Sequence, residues 1–196
     1  DPYGLIALFG GDKPFTTKLD GFFTNTDSMG EGASSDITGL IGQYAHGNEP
    51  SHHVAYLYAY AGEQWKTAEK VRFIMSDFYT DQPDGIIGNE DCGQMSAWYL
   101  LSSMGLYQVN PSDGVFVFGS PCFKKVEMKV RGGNTFTVEA PNNSKENIYI
   151  QSIKIDGKTY DKTYLTHEQI MTGATVEFEM SNTPKAIGVI FEENTP

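Results

Sequence analysis

Glu90 and Asp91 are adjacent carboxylates inside Gly88-Asn89-Glu90-Asp91-Cys92-Gly93-Gln94, a glycine-flanked turn that opens onto the run Met95-Ser96-Ala97-Trp98-Tyr99-Leu100-Leu101. Carboxylates held at a helix entrance beside aromatic rings suit two chemistries. One is acid–base cleavage of a glycosidic bond; the other is binding of a hard, oxygen-seeking cation. A second turn of similar kind, Gly47-Asn48-Glu49-Pro50, lies upstream and leads into Ser51-His52-His53. Asn48 and Glu49 offer oxygen donors suited to calcium. Asn89 and Gln94 offer amides that could hold sugar hydroxyls or a cation.

Each feature also has a purely structural reading. Asp91-Cys92-Gly93-Gln94 fits a capping box, with Asp91 at the N-cap and Gln94 three residues on, an arrangement worth about 1 kcal/mol to a helix. Cap and catalyst both stay open for Asp91, and the two roles are compatible. Neighbours in a turn usually point different ways, so Glu90 and Asp91 need not face one substrate. Asn48 or Glu49 could equally start a helix. His46, His52 and His53 lack the His-x-x-x-His spacing that places two ligands on one helical face, which argues against a histidine zinc site. There is no phosphate-binding glycine loop and no G-x-S-x-G elbow.

The elements that must position these residues change character along the chain. The first half reads as helices joined by glycine-rich turns. A short helix is expected over Pro14 to Phe23 with Asp12 as its cap, and a loop over Thr24 to Asp36. A helix is expected over Ser51 to Ala61, with Pro50 near its first position and Gly62 as its stop. Over Gln64 to Tyr79, Trp65, Ala68, Val71, Met75 and Phe78 recur at helical spacing. Gly93 to Met104 forms the last helix, stopped by Gly105. From Leu106 onward, short β-branched and aromatic runs alternate with turn signals. Val115 to Phe118 is a strand. Hairpins are expected over Val126 to Glu139 and over Ile148 to Tyr160, the second turning at Asp156-Gly157 in a type I′ turn. Thr175 to Met180 and Ala186 to Phe191 complete a set of strands spaced as in a sandwich. The expected division is a helical part over 1–105 and an antiparallel β part over 106–196. The β part carries little chemistry: His167 stands alone in it, and Asn142-Asn143-Ser144 matches a glycosylation acceptor.

With 196 residues the chain can bury a real core, and 39% apolar against 20% charged residues places it among ordinary globular proteins. Only 14 basic residues stand against 25 acidic ones, a net charge of −11, which argues against nucleic acid as partner. The same balance is compatible with divalent cations or neutral sugars. Cys92 and Cys122 make neither a disulfide framework nor a thiolate zinc site, and a single bridge between them stays open. No apolar run could span a bilayer and no signal peptide is present, so targeting information is expected to lie outside this stretch.

The longer motifs are specific. Gly47-Asn48-Glu49-Pro50-Ser51-His52-His53-Val54-Ala55-Tyr56-Leu57-Tyr58 and Gly88-Asn89-Glu90-Asp91-Cys92-Gly93-Gln94-Met95-Ser96-Ala97-Trp98-Tyr99 together resemble glycoside hydrolase family 92. Gly4 to Gly11 and Thr38 to His46 resemble it too, and the likeness is dense from Asp1 to about Pro121. The resemblance implies a calcium-dependent, inverting exo-α-mannosidase, most simply α-1,2-specific, of a secreted or periplasmic bacterial kind. It implies the C-terminal piece of such an enzyme, an α+β chain holding the final helices of an (α/α)6 barrel followed by an antiparallel β-sandwich-like region. Asp91 then matches the base that activates the attacking water. Some members carry a second acid two residues earlier, where this chain has Asn89. Glu90, Asn89, Gln94 and His52 become the expected substrate contacts, and Asn48 and Glu49 the expected calcium donors. The general acid is expected in the N-terminal portion of a longer parent. Expected partners are thus a mannose-containing glycan and that N-terminal portion, and the isolated piece is expected to be inactive. The competing reading is a non-catalytic carbohydrate-binding or structural module of a glycan-degrading enzyme.

Overall fold

The computed structural model describes residues 1–27, 34 and 37–188. Its first helix, α1 (Pro2–Leu8), is one the sequence pattern does not announce. The Asp1 carboxylate accepts from the Gly4 amide at 2.9 Å and Pro2 takes the first helical position. Helix α2 (Asp12–Thr24) starts earlier than expected: Gly11 is its N-cap, and Asp12, the expected cap, sits in its first turn, where a negative charge suits the helix dipole. A minimal hairpin, β1 (Leu40–Ile41) and β2 (Tyr44–Ala45), comes next. Most of the loop expected between this hairpin and α2 lies outside the described residues.

The single helix expected over Ser51 to Ala61 is broken. It becomes two 3₁₀ turns, Glu49–Ser51 and Val54–Tyr56, and a four-residue α3 (Leu57–Tyr60). Every residue from Ala55 to Ala61 is buried. Packing on all sides, rather than one apolar stripe, therefore sets the path of this segment. Helix α4 (Gln64–Asp77) keeps its predicted stripe through Ala68, Val71 and Met75. Trp65 is only partly buried, and the inner place goes to Gln64, whose amide donates to the Phe118 and Gly119 carbonyls at 3.1 and 2.8 Å. Helix α5 (Gln94–Ser103) is the last of the helical half.

The β half begins with β3 (Leu106–Tyr107) and β4 (Val115–Phe118). It continues with β5 (Lys125–Lys129), β6 (Thr135–Glu139), β7 (Tyr149–Ile155) and β8 (Lys158–Tyr160), then β9 (Tyr164–Thr166), helix α6 (His167–Thr172) and β10 (Thr175–Ser181). Both predicted hairpins form, and Asp156 and Gly157 have φ of 51° and 74°, as a type I′ turn requires. The five-stranded sheet runs β5-β6-β10-β7-β8 and is antiparallel except for the parallel pair β6–β10. A second, antiparallel sheet of three strands runs β3-β4-β9. Helix α6 interrupts a stretch that reads as purely β. It is held by a capping box between Thr166 and Gln169, and His167 is its first residue. The strand expected over Ala186 to Phe191 lies partly outside the described residues, and 186–188 are irregular.

The three-stranded sheet is the seam between the halves. Val115, Val117 and Tyr164 face the helical core, while Leu106, Phe118 and Leu165 face the core of the five-stranded sheet. This is period-two alternation with both faces buried. Polar ties reinforce the seam. Arg72 on α4 donates to the Pro121 carbonyl, to Asn143 Oδ1 at 3.0 Å and to the Ser144 carbonyl at 2.5 Å. Tyr149 donates to Glu69 at 2.7 Å. Asn142, the asparagine of the glycosylation pattern, spends its amide on the Met180 backbone in both directions. Both cysteines are free. No helix among the described residues is long and apolar enough to cross a membrane.

Candidate functional site

Two glycines bring the separate turns together. A Cβ on Gly88 would lie 3.1 Å from the Gly47 Cα and 3.0 Å from Thr38 Oγ1, and one on Gly47 would lie 1.9 Å from that same oxygen. Only residues without side chains allow this approach. The Gly47 amide is anchored on the Thr38 carbonyl at 3.1 Å. Two turns far apart in sequence thus share one surface.

The expected capping box at Asp91 does not form. Gly93 is the N-cap of α5, with φ 95° and no side-chain cap of its own. Asp91 and Cys92 have φ of 47° and 59°, so three successive residues are left-handed. An N-cap carboxylate acts from extended backbone, which Asp91 lacks. Glu90 does the capping instead: its carboxylate accepts from the Ser96 amide at 3.0 Å and the Ser96 hydroxyl at 2.8 Å. Ser96 is the third residue of α5, so one of the orphan donors of the helix is satisfied. Consecutive left-handed non-glycine residues cost of order 1–3 kcal/mol each and concentrate at functional sites. Here they leave the Asp91 side chain exposed and uncommitted to the helix.

The partner of Asp91 is Glu49, from the other turn, rather than its neighbour Glu90. The two carboxyls lie within hydrogen-bonding reach. The hydrogen bond to Glu49 holds the Asp91 carboxyl above the ordinary aspartate range, with loss of water and the repulsion of the second charge adding to it. Glu49 Oε1 is buried and has no hydrogen-bond partner among the described residues. Asn48, half-buried, and Asn89, exposed, make no side-chain hydrogen bond there either. This donor set suits a hard cation: one orphaned carboxylate oxygen, a second carboxylate beside it and two uncommitted amides. No three His, Cys, Asp or Glu converge among the described residues, so a cation here would also draw on amide and backbone oxygens.

Beside Glu49 opens a cavity of about 350 Å³ lined by Glu49, His53, Gln94, Trp98 and Tyr107, among others. Gln94 reaches it from the first position of α5. His52 does not: it is 1% exposed, with Nε2 on the His46 carbonyl at 3.0 Å and Nδ1 on Gln94 Nε2 at 3.2 Å. The geometry therefore places His52 beneath the site rather than on a substrate. Tyr107 and His53 are additions to the residues expected from sequence. Tyr107 stacks on Tyr56 with centroids 4.8 Å apart, and its hydroxyl stands at the Gln94 amide. Its signal is present in the sequence, since Leu106 and Tyr107 alternate inward and outward where the helical grammar ends.

The chain matches the model of the "Glycosyl hydrolase family 92 catalytic domain" over residues 1–182, through the β half and well past Pro121. It is 42% identical to a family 92 α-mannosidase of Bacteroides thetaiotaomicron solved with mannoimidazole, with a TM-score of 0.85 over 90% of this chain and 23% of that one. A second enzyme of that bacterium, described as an inverting mannosidase, is 36% identical with a TM-score of 0.80 over 94% of this chain and 26% of that one. A secreted glycosidase of the fungus Arthroderma benhamiae is 32% identical over 94% of this chain and 22% of its own length. The chain thus spans about a quarter of the length of these relatives.

Proposed function

The chain belongs to glycosyl hydrolase family 92, and from that premise we propose that it supplies the water-activating half of an inverting exo-α-mannosidase site. Asp91 accepts a proton from a water molecule as that water attacks the anomeric carbon of a terminal mannose. The glycosidic C–O bond breaks on the opposite face. A general acid from the remainder of the parent enzyme protonates the leaving oxygen, and the anomeric centre inverts. The substrate class is mannose-ended glycans, with the α-1,2 linkage as the first to test. The observation that carries this reading is that Asp91 is the one carboxylate of its turn released from capping, and that it meets a second carboxylate from the other turn.

Asn48 and Glu49 are the residues that would hold calcium, with Asn89 in reach of the same surface. A calcium ion bound there would supply a hard positive centre for sugar hydroxyls. Glu49 otherwise sets the proton affinity of Asp91. Asp91 must be deprotonated to act, and the second carboxylate strengthens it as a base by opposing its ionisation. A secreted or periplasmic location is part of the proposal; the secreted fungal relative supports the secreted form.

The experiment is hydrolysis of α-1,2-mannobiose by the parent enzyme, with NMR detection of the first-formed anomer. β-Mannose should appear first, and Asp91→Asn should abolish its formation. First-formed α-mannose, or an Asp91→Asn enzyme with unchanged turnover, would contradict the proposal. The chain alone should not turn over this disaccharide in calcium; turnover that Asp91→Asn removes would show that the general acid lies within it.

A further inference from the structure

Beneath the site lies a chain of buried hydrogen bonds. Tyr79 donates its one proton to the Met95 carbonyl at 3.2 Å. Tyr79 Oη also lies 2.7 Å from His46 Nε2, a contact whose donor is set by the His46 tautomer. On its other side, His46 Nδ1 meets the Tyr44 hydroxyl at 2.8 Å. Burial holds His46 neutral, pushing its pKa down to about 3.

At His52 the directions are fixed donor by donor. A carbonyl cannot donate, so the 3.0 Å contact with the His46 carbonyl is an Nε2–H donation. Nδ1 of a neutral imidazole is then an acceptor, and the Gln94 amide must turn its nitrogen toward it at 3.2 Å. His52 is itself clamped. Its ring stacks on His46 with centroids 4.7 Å apart, and its carbonyl accepts from Trp98 Nε1 at 3.1 Å. Burial also lowers its pKa, which favours the neutral ring.

We propose that His52 is a positioning residue that locks the Gln94 amide in one orientation, so that Gln94 presents its carbonyl oxygen, as an acceptor, to a substrate hydroxyl in the cavity beside Glu49. This rests on the mannosidase reading above. A freely rotating amide could offer either end; one with its nitrogen turned to His52 and its second N–H on the Tyr107 hydroxyl offers its oxygen. His52 thereby contributes to sugar binding without touching the sugar.

The test uses steady-state kinetics of the parent enzyme on α-1,2-mannobiose. Asn at 52 places an acceptor oxygen where Nδ1 stands; Gln at 52 places a donor where Nε2 stands. His52→Gln should lower kcat/KM about tenfold, mainly through KM, the worth of one hydrogen bond. His52→Asn should stay within about threefold of wild type if the Gln94 contact is what matters. Gln94→Met, which fills the same space without polar atoms, should raise KM by a similar factor. In that background His52→Gln should cost less than about twofold more. Equal losses in His52→Asn and His52→Gln, or full additivity in the double variant, would overturn the proposal. Should the His52 variants not fold, Gln94→Met decides alone, and an unchanged KM overturns the proposal. Failure of the mannosidase reading is separate: it shows as Asp91→Asn turning over normally.

Discussion

The tripeptide Gly-Asn-Glu occurs at 47–49 and again at 88–90, and the two glutamates end in opposite situations. Glu90 gives its carboxylate to the Ser96 amide and hydroxyl and so serves α5. Glu49 caps nothing, keeps a buried oxygen without a partner among the described residues, and faces Asp91 across the glycine contact. The tripeptides are identical, and the difference lies in the residues that come next. After Glu90, three left-handed residues swing the chain so that the glutamate reaches forward onto the helix. After Glu49, Pro50 continues a 3₁₀ turn, and the side chain is left for the other turn to meet. Identical motifs can therefore split into a structural and a chemical member, and the backbone decides which.

That contrast can be broken by substitution. The largest effect belongs to Asp91: Asp91→Asn in the parent should lower kcat by about 10²–10⁴-fold, the usual worth of a general base, with unchanged circular dichroism. Next comes the glycine contact. Gly88→Ala forces a side chain onto left-handed backbone and against Gly47 Cα, so kcat/KM should fall more than the loss of melting temperature explains. A smaller effect separates the two glutamates. Glu90→Gln weakens a cap and should cost about 0.5–2 kcal/mol in denaturant unfolding while leaving kcat nearly intact. Glu49→Gln should do the reverse, changing the chemistry and sparing stability. A Glu90→Gln enzyme that loses turnover but not stability would erase the distinction.

The stripe of α4 and the Asp156-Gly157 hairpin are local patterns, legible in the sequence, and they form where expected. The capping box from Thr166 to Gln169 is equally local, yet it is masked by its setting: strand-like runs surround it, and His167 reads there as a lone side chain. The spacing of Asp91 to Gln94 fits a cap, and nothing in the letters shows that Asp91 and Cys92 turn left-handed. The meeting of Glu49 with Asp91 is tertiary, set by two glycines and Thr38, and no window along the chain contains it. His52 illustrates the same limit. Its place in the motif suggests substrate, whereas packing against His46 and Trp98 buries it.

The pairing of Glu49 with Asp91 is tested most directly by the pH dependence of the residual kcat/KM of the calcium-free parent enzyme and its Glu49→Gln variant. Asp91 works deprotonated, so activity is lost as pH falls through its pKa. Glu49 raises that pKa, so removing its charge lets Asp91 stay ionised to lower pH. The acidic limb should lie above the ordinary aspartate range in the parent and move to lower pH in Glu49→Gln. An acidic limb at the same pH in both enzymes would contradict the account.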